Sequence, residues 1–348
     1  MPQQFLGNKE FLTKDIEVFA SCPSNIALIK YWGKYEGQIP ANPSISFTLS
    51  NCKTETKMIF KSGEKFSVKT FLAGKEETKF SEKIEKYFQN IEKYLPWILQ
   101  GSFVIETENT FPHSSGIASS ASGFGAIAKC LMEMDKAFSG KDFFDVKKAS
   151  FLARLGSGSA CRSVYDGLVV WGEVNEVEGS SDLYAVKYPD EEIHLIFRDF
   201  NDYVLLIHEG QKSVSSTVGH GLMNTNPYAE CRFQEARENF VPMKEILKSG
   251  DLQAFMKLVE HEALTLHAMM MMSDPAFILM QTGTLQVINR VWEFRKETNL
   301  PLFFTLDAGA NVHLLFPSEK KAEITNFIET ELLQYTQNGG IVRDFMKF

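Results

Sequence analysis

Residues 108–128 read Glu-Asn-Thr-Phe-Pro-His-Ser-Ser-Gly-Ile-Ala-Ser-Ser-Ala-Ser-Gly-Phe-Gly-Ala-Ile-Ala and join a predicted strand to a predicted helix. The strand is predicted because residues 102–108 alternate apolar and polar side chains, and the helix because residues 118–134 are small and then apolar at helical spacing. Gly116 allows a ligand to approach the backbone, and Ser119 and Ser120 fall in a first helical turn whose N–H groups lack partners. These donors and the helix dipole favour a bound anion. The same residues also fit a serine-rich loop with an ordinary N-cap, so the stretch alone leaves both interpretations open.

The order of residues in this loop distinguishes it from two other phosphate loops. It lacks the lysine of a Gly-x-x-x-x-Gly-Lys-Ser/Thr loop and the Gly-x-Gly-x-x-Gly of a dinucleotide fold. It resembles the Pro-x-x-x-Gly-Leu-x-Ser-Ser-Ala phosphate loop of the GHMP kinases, the family of galactokinase, homoserine kinase and mevalonate kinase. The resemblance implies an ATP site made by Pro112, Ser115, Gly116, Ile117, Ala118, Ser119 and Ser120.

The composition predicts a globular enzyme of about two domains. The chain has 348 residues, of which 44% are hydrophobic and 23% charged, and this balance excludes a disordered chain. No apolar run reaches the ~18 residues of a membrane helix, and the N-terminus lacks the apolar core of a signal peptide. The five cysteines are scattered and form no Cys-x-x-Cys pair. A formal charge of −8 argues against nucleic acid or an anionic membrane as partner. We therefore predict a cytoplasmic protein, in which a phosphorylated substrate needs a local cluster of cations.

A second motif, Asn-Ile-Ala-Leu-Ile-Lys-Tyr-Trp-Gly-Lys, occupies residues 25–34. Lysines four apart are often a solvated pair on a helix surface, but the apolar residues before Lys30 predict a buried segment that ends in an anion pocket. The motif closely resembles that of one GHMP branch, the mevalonate diphosphate decarboxylase family. By that resemblance Tyr31 and Lys34 bind the diphosphate of the substrate, and Asn25 and Lys30 lie close to the reacting centre.

A third motif, Gly-Ser-Gly-Ser-Ala-Cys-Arg-Ser, occupies residues 156–163. It combines a turn rich in hydrogen-bond donors with an arginine, the residue best suited to a two-pronged grip on carboxylate or phosphate. Taken alone, it also fits a flexible linker beside a surface arginine. The run matches the decarboxylase family residue for residue, which implies that residues 157–159 (Ser157, Gly158 and Ser159) bind the substrate phosphates and that Arg162 holds its carboxylate.

Residues 212–219 are similar to a family segment that closes over the substrate. That similarity adds Thr217 as a contact, although the segment also fits a simple capping loop.

The fourth motif, Asp-Ala-Gly-Ala-Asn at residues 307–311, lies between two apolar strands. An acid before a glycine is also common in ordinary turns. The run resembles Asp-Ala-Gly-Pro-Asn of the decarboxylase family, with Ala310 in place of the proline. The resemblance implies that Asp307 orients or deprotonates the substrate hydroxyl, that Lys30 stabilises charge or tunes Asp307, and that Ser120 steadies the transferred phosphoryl group.

The four motifs occur in the family's order and span most of the chain. The resemblance implies an α+β, two-domain GHMP kinase fold, with an N-terminal α+β domain of the left-handed crossover type over residues 1–184 and a ferredoxin-like C-terminal domain over residues 185–348. It also implies ATP- and Mg²⁺-dependent decarboxylation of mevalonate 5-diphosphate to isopentenyl diphosphate in isoprenoid biosynthesis, and it allows a homodimer. No metal ligand is assigned. Three alternatives stay open: a GHMP kinase that stops at the phosphate ester, a mevalonate monophosphate decarboxylase, and a non-catalytic phosphate-binding protein.

Residues 80–95 predict an amphipathic helix to which we assign no chemistry. Some relatives have an arginine before this helix that helps to hold the substrate phosphate. No arginine lies between Cys52 and Glu108 in this chain, so that contact is expected to be absent.

The C-terminal half predicts further elements, among them a strand at residues 193–197 and one helix over residues 228–247. His261 and His267 lie on another predicted helix. Because they are six residues apart, they point to different faces of that helix, and we exclude a zinc site there.

Overall fold

The chain folds into mixed β-sheets covered by helices. In the computed structural model, structure is described for residues 2–7, 11–112, 117–140, 142–210 and 214–346. The strands are β1 (Ile16–Ile29), β2 (Lys34–Tyr35), β3 (Ile39–Pro40), β4 (Ser44–Ser62), β5 (Ser67–Leu72), β6 (Lys75–Glu76), β7 (Gly101–Asn109), β8 (Leu168–Trp171), β9 (Ala185–Lys187), β10 (Phe200–Leu205), β11 (Phe303–Thr305), β12 (Val312–Pro317) and β13 (Ile341–Met346). The helices are α1 (Thr78–Ile91), α2 (Ser119–Ser139), α3 (Val146–Gly156), α4 (Ala160–Ser163), α5 (Ser216–Leu222), α6 (Ala229–Glu238), α7 (Phe240–Ser249), α8 (Leu252–Met271), α9 (Thr282–Thr298) and α10 (Lys321–Phe327).

Strand β4 forms the centre of the N-terminal half. Its 19 residues pair antiparallel with β1, β7 and β8, and β7 pairs in parallel with β5. From Cys52 to Phe60 every second residue of β4 is buried, as expected of a strand with one face on a core. That core includes Phe60 and the buried faces of α1, α2 and α3. The strand and helix predicted on either side of the serine-rich loop are confirmed as β7 and α2.

The C-terminal half contains an antiparallel sheet with the strand order β11-β12-β10-β13. Met346 of β13 pairs with Leu49 of β4, so this sheet is continuous with that of the N-terminal half. Next to this pair, the buried Asp344 carboxylate accepts the backbone N–H groups of residues 50–52 at 2.6 to 3.0 Å. The carboxylate therefore ties the last strand to the central strand of the first half.

The strand predicted at residues 193–197 is wrong. A 3-10 turn, Leu195–Arg198, lies there, and the His194 side chain accepts the backbone N–H of Ile196 at its start. The turn directs Phe197 into the core, where its ring centroid lies 4.6 Å from that of Phe255. The apolar residues that suggest a strand are therefore buried by a different backbone conformation.

The single helix predicted over residues 228–247 is also wrong, because two helices, α6 and α7, meet at Asn239. Pro242 lies in the first turn of α7, where its missing N–H costs no intrahelical hydrogen bond. In one continuous helix the same position would need an N–H to bond the carbonyl of Glu238. The proline thus explains the break.

The domain boundary predicted between residues 184 and 185 stays a prediction. It falls at the first residue of β9, a strand that pairs with β8 of the N-terminal half.

Across the described ranges, no helix is both long enough and apolar enough to span a membrane.

Candidate active site

A cavity of about 260 Å³ is lined by residues of both halves. Its wall comes from the end of β1 and the residues after it, helix α1, the start of α2, the segment from α3 into α4, helices α5 and α8, and the turn after β11. The predicted site residues that line it are Lys30, Tyr31, Lys34, Ala118, Ser120, Ser157, Gly158, Ser159, Arg162, Thr217 and Asp307. The fold therefore brings together side chains that are up to 277 positions apart in the chain.

An ion pair between the two halves lies in the cavity wall. Lys30 directly follows β1 and Asp307 comes two residues after β11, and Lys30 Nζ lies 3.1 Å from Asp307 Oδ1. The Lys30 side chain is 1% exposed, whereas that of Asp307 is 26% exposed. Burial lowers the pKa of Lys30, and the negative charge of Asp307 opposes this effect. The carboxylate thus stays open to the cavity while a buried ammonium compensates its charge.

Helix α8 holds the backbone of both partners of this ion pair. The Glu262 carboxylate accepts the backbone N–H of Lys30 at 2.8 Å, and Nε2 of His267 lies 3.1 Å from the backbone oxygen of Asp307. Because a carbonyl oxygen only accepts, Nε2 of His267 is the nitrogen that carries a proton. Glu262 is fully buried and pairs with Arg232 of α6, which compensates its charge. We assign neither Glu262 nor His267 a function from sequence alone.

Arg162 of α4 is a buried cation held by neutral oxygen atoms. Its Nε donates to Ser46 Oγ at 2.9 Å and to Asn25 Oδ1 at 3.3 Å, and its Nη1 donates to Ser44 Oγ at 2.5 Å. Burial lowers the pKa of Arg162, and the negative charge of Asp307 is among the effects that raise it. A buried guanidinium that neutral groups surround favours an anionic ligand. Asn25 lies behind this arginine and does not line the cavity.

Tyr31 packs against the serine-rich turn of the third motif. Its ring centroid lies 4.7 Å from that of Trp171, and a Cβ at Gly158 would lie 2.8 Å from the Tyr31 hydroxyl. Only glycine therefore fits at position 158. Burial raises the pKa of Tyr31, so its hydroxyl stays protonated and can donate to an anion. Ser157 and Ser159 flank the glycine and line the same cavity.

Cations dominate the cavity although the formal charge of the protein is −8. The described residues that line it include Lys30, Lys34, Lys83 and Arg162, and Asp307 is the one acid among them. Burial lowers the pKa of Lys34, and the positive charge of Lys83 lowers it further. The cation cluster that a phosphorylated ligand requires is therefore present. Lys83 extends it from α1, the helix to which we assign no chemistry from sequence.

The predicted phosphate loop reaches the cavity through Ala118 and Ser120. Ala118, which precedes α2, has a left-handed φ of 38°. This conformation is uncommon for alanine, and backbone strain of this kind clusters at ligand sites. The N–H groups of Ser119 and Ser120 precede the first hydrogen bond of α2, which Ala121 donates to the carbonyl of Ala118 at 2.8 Å, and Ser120 Oγ lies 3.4 Å from Ser157 Oγ. This end of the cavity can thus surround an anion with neutral donors.

The other described residues predicted for the phosphate loop do not line the cavity. Ile117 is buried, and its carbonyl accepts the hydroxyl of Ser24 on β1 at 2.8 Å, so it anchors the loop to the sheet. Pro112 and Ser119 do not line the cavity. Ser115 and Gly116 lie outside the described residues.

Four polar residues among the described residues of the cavity wall do not belong to the predicted site: Gln38, Lys83, Ser216 and His220. Lys34 Nζ donates to Gln38 Oε1 at 2.8 Å. His220 lies one residue beyond the segment predicted to close over the substrate, which is the one hint to it in the sequence. The residue types alone give no such hint, because lysine and glutamine are common on any surface.

The described residues include no group of three or more His, Cys, Asp or Glu side chains that could hold a metal ion. The cavity does offer the Asp307 carboxylate and the Ser120 hydroxyl. Mg²⁺ is commonly held by one or two carboxylates together with the phosphates of a substrate. The donors present therefore fit a magnesium ion that binds with a nucleotide.

Two family models match most of the chain. The model of the diphosphomevalonate decarboxylase-like N-terminal domain matches residues 22–185, and that of the mevalonate 5-diphosphate decarboxylase C-terminal domain matches residues 203–344. The diphosphomevalonate decarboxylase of Saccharomyces cerevisiae is 30% identical over 329 residues, which cover 88% of this chain and 80% of the yeast protein.

Solved structures are similar over nearly the whole chain. A crystal structure of mevalonate diphosphate decarboxylase from Staphylococcus aureus has a TM-score of 0.83 at 30% identity and covers 96% of both chains. A structure of MDDEF in complex with MVAPP, AMPPCP and magnesium has a TM-score of 0.81 at 26% identity and covers 96% of this chain and 98% of the other. The α+β, two-domain architecture implied by the motifs is therefore confirmed at the level of the whole fold.

Proposed function

The chain belongs to the diphosphomevalonate decarboxylase family, and on that premise we propose that its cavity decarboxylates mevalonate 5-diphosphate to isopentenyl diphosphate at the expense of ATP. This reaction is a step of the mevalonate pathway of isoprenoid biosynthesis. The observation that carries the proposal is that the Lys30–Asp307 ion pair and the buried Arg162 face one cation-lined cavity. A kinase that stops at the phosphate ester has no need of a buried arginine for a carboxylate.

Asp307 acts on the tertiary 3-hydroxyl of the substrate. Its carboxylate takes the hydroxyl proton while the oxygen bonds to the γ-phosphorus of ATP, and ADP leaves. The hydroxyl, a poor leaving group, thereby becomes a phosphate ester, which is a good one. Lys30 keeps the carboxylate in place through the 3.1 Å ion pair.

Arg162 acts in the second half of the reaction. The bond between C3 and the phosphate oxygen breaks, the electron pair of the bond to the carboxylate forms the new double bond, and inorganic phosphate and carbon dioxide leave. Arg162 holds the carboxylate in line for this departure. Asn25 positions Arg162 by accepting its Nε–H.

The diphosphate of the substrate binds at the lysine-rich part of the cavity. Tyr31 and Lys34 donate to it from the segment after β1, residues 157–159 donate from the serine-rich turn, and Lys83 adds a cation from α1. Thr217 adds a hydroxyl from α5. These hydroxyl groups and lysines offer more hydrogen-bond donors and positive charge than a single phosphate needs. The cavity therefore favours mevalonate 5-diphosphate over mevalonate 5-phosphate.

ATP and Mg²⁺ are the cofactors, in agreement with the complex of a similar protein with AMPPCP and magnesium. The start of α2, with Ala118 and Ser120, donates to the phosphates of the nucleotide. Asp307 and the Ser120 hydroxyl are the groups that would hold the metal. A magnesium ion bound there would neutralise charge on the phosphate oxygens during transfer.

The test is to supply purified protein with mevalonate 5-diphosphate, ATP and magnesium and to measure carbon dioxide and ADP together. We expect equal amounts of both. Asp307→Asn keeps the size of the side chain but not its basicity, so both products should form about 10²- to 10⁴-fold more slowly. Asp166→Asn, a change at an exposed position outside the cavity, is the matched control.

Other outcomes distinguish the alternatives. ADP without carbon dioxide would identify a kinase, and faster turnover of mevalonate 5-phosphate than of the diphosphate would identify a monophosphate decarboxylase. Unchanged turnover in Asp307→Asn would remove Asp307 from the mechanism.

We also propose a homodimer in the cytoplasm, and size-exclusion chromatography with light scattering tests the dimer.

A further inference from the structure

His220 is a buried imidazole in the cavity wall to which no predicted motif assigns a role. It lies on α5, and its ring centroid is 4.5 Å from that of Tyr31 and 4.4 Å from that of Trp32. Next to it, a Cβ at Gly219 would lie 2.8 Å from the Trp32 ring, so α5 is closely packed on that indole. The ring is thus placed directly against the substrate-binding segment that follows β1.

A single hydrogen bond determines which nitrogen of His220 carries the proton. The backbone N–H of Gly33 donates to His220 Nδ1 at 2.9 Å. Gly33 has a left-handed φ of 89°, and a Cβ there would lie 2.5 Å from the Phe233 ring, so glycine is required at this position. Because Nδ1 accepts, the proton of a neutral ring must be on Nε2. Among the described residues the hydrogen bond of His220 uses Nδ1 and not Nε2, and the residue lines the cavity.

The surroundings keep this ring uncharged. Burial lowers the pKa of His220 to about 3, and the positive charge of Lys34 contributes to the decrease. At neutral pH the side chain is therefore an N–H donor without a charge. A neutral donor can approach a phosphate between several lysines without adding to their mutual repulsion.

We propose that His220 is a further substrate-binding residue, whose Nδ1 holds Gly33 and whose Nε2–H donates to the diphosphate bound by Tyr31 and Lys34. The inference rests on the proposed function for the identity of the substrate, whereas the bond to a diphosphate group does not depend on the chemistry that follows. The ring thus links α5, in the C-terminal half, to the diphosphate site of the N-terminal half.

Two substitutions separate the two roles of the ring. His220→Asn places an amide oxygen near the position of Nδ1 and has no donor at the position of Nε2, whereas His220→Gln keeps a donor near Nε2 and loses the acceptor for Gly33. We expect His220→Asn to raise KM for mevalonate 5-diphosphate about tenfold with kcat nearly unchanged, since one hydrogen bond to a charged group is lost. His220→Gln should retain a KM closer to that of the unsubstituted protein. A higher KM in His220→Gln than in His220→Asn, or equal values, would overturn the assignment of Nε2 as a donor to substrate.

A binding measurement keeps this test independent of turnover and of folding. Titration with inorganic diphosphate should give weaker binding in His220→Asn than in His220→Gln, with both variants first shown to melt cooperatively. In the unsubstituted protein with ¹⁵N-labelled histidine, the Nε2–H resonance of His220 should shift when inorganic diphosphate is added, while Nδ1 stays unprotonated. An unmoved Nε2–H resonance at saturation would refute the proposal. If the protein releases no carbon dioxide but the resonance shifts, the proposed reaction fails and the His220 assignment stands.

Discussion

Lys30 carries an ammonium group that is almost completely shielded from water. Its side chain is 1% exposed, and burial lowers its pKa more than the nearby Asp307 raises it. The proposed reaction needs the charged form, because that form keeps Asp307 in place. We therefore expect kcat to fall at alkaline pH with an apparent pKa below about 10.4, the value of an unperturbed lysine.

Lys30→Arg tests the origin of this alkaline decrease. Arginine keeps its charge at every pH of the assay. The variant should turn over more slowly, because the larger head group fits the buried site poorly, but its kcat should stay level to higher pH. The measurement is kcat at saturating substrate from pH 6 to 10.5 for both proteins. The same alkaline decrease in both would mean that another group titrates.

His220 makes a prediction about stability in acid. Its pKa is about 3 in the folded protein, against about 6.5 in an unfolded chain. The unfolded state therefore binds the proton first as the pH falls, and the folded state loses stability from about pH 6.5 down to about pH 3, by up to ~1.4 kcal/mol per pH unit.

The comparison is between the unsubstituted protein and His220→Asn, which lacks this titration. Between pH 6.5 and 4.5 the free energy of unfolding of the variant should decrease by about 2 kcal/mol less than that of the unsubstituted protein. Urea denaturation at the two pH values measures it. Parallel losses in both proteins would show that His220 is not the buried neutral group that the structure describes.

Helix α8 is the element that supports the ion pair at the reacting centre. Glu262 reaches the backbone of Lys30 and His267 that of Asp307, so one rigid helix sets the distance between the two partners. A site built on a helix is held more precisely than one built on loops alone. The ion pair joins the two halves of the chain, and α8 is therefore expected to control its geometry.

Substitution of His267 tests that control. His267→Gln keeps an N–H donor for the Asp307 carbonyl, whereas His267→Leu does not. We expect kcat to fall roughly ten- to a hundredfold in His267→Leu with KM little changed, because displacement of a catalytic group by about 1 Å is costly, and to recover largely in His267→Gln. His261→Gln, on the exposed side of the same helix, is the control. Equal kcat values for the leucine and glutamine variants would contradict a positioning role.

The contrast between motif residues and helix residues explains how much of the site can be predicted from sequence. Tyr31, Arg162 and Asp307 stand in runs whose exact order is specific, and the fold brings all three to one cavity. Glu262 and His267 stand in an ordinary amphipathic helix. The spacing argues against a zinc pair, but only the packing of α8 against the ends of β1 and β11 shows what these side chains hold.

Short sequence patterns also limit how well the individual helices and strands can be predicted. The alternating and helical patterns around the phosphate loop are long enough to identify β7 and α2. The short apolar run at residues 193–197 fits a strand or a buried turn equally well, and His194 decides for the turn by accepting a backbone N–H. Pro242 breaks a helical pattern that is otherwise continuous. Patterns shorter than about six residues therefore depend on tertiary contacts that a sequence does not show.

The whole molecule combines a negative net charge with a cavity lined by cations. The formal charge is −8, yet three lysines and an arginine line one cavity. Lys34 and Lys83 are close enough for the second to lower the pKa of the first, so the ligand-free protein contains unfavourable repulsion between them. An anionic ligand relieves this repulsion and stabilises the folded state by mass action. The same lysines that bind the anionic ligand thus lower the free energy of unfolding of the ligand-free protein.

Lys83→Met makes that relation measurable. Methionine keeps much of the length and apolar stem of the lysine but not its charge, so the melting temperature of the ligand-free protein should stay the same or rise as the repulsion on Lys34 is removed. The increase in melting temperature caused by inorganic diphosphate should become smaller, and KM for the diphosphate substrate should rise about tenfold, as expected for loss of one charged contact. Lys86→Met, on the same helix but outside the cavity wall, should leave both quantities unchanged. A Lys83→Met protein that melts several degrees lower without ligand, and that diphosphate stabilises as well as before, would show that Lys83 supports the fold and not the ligand.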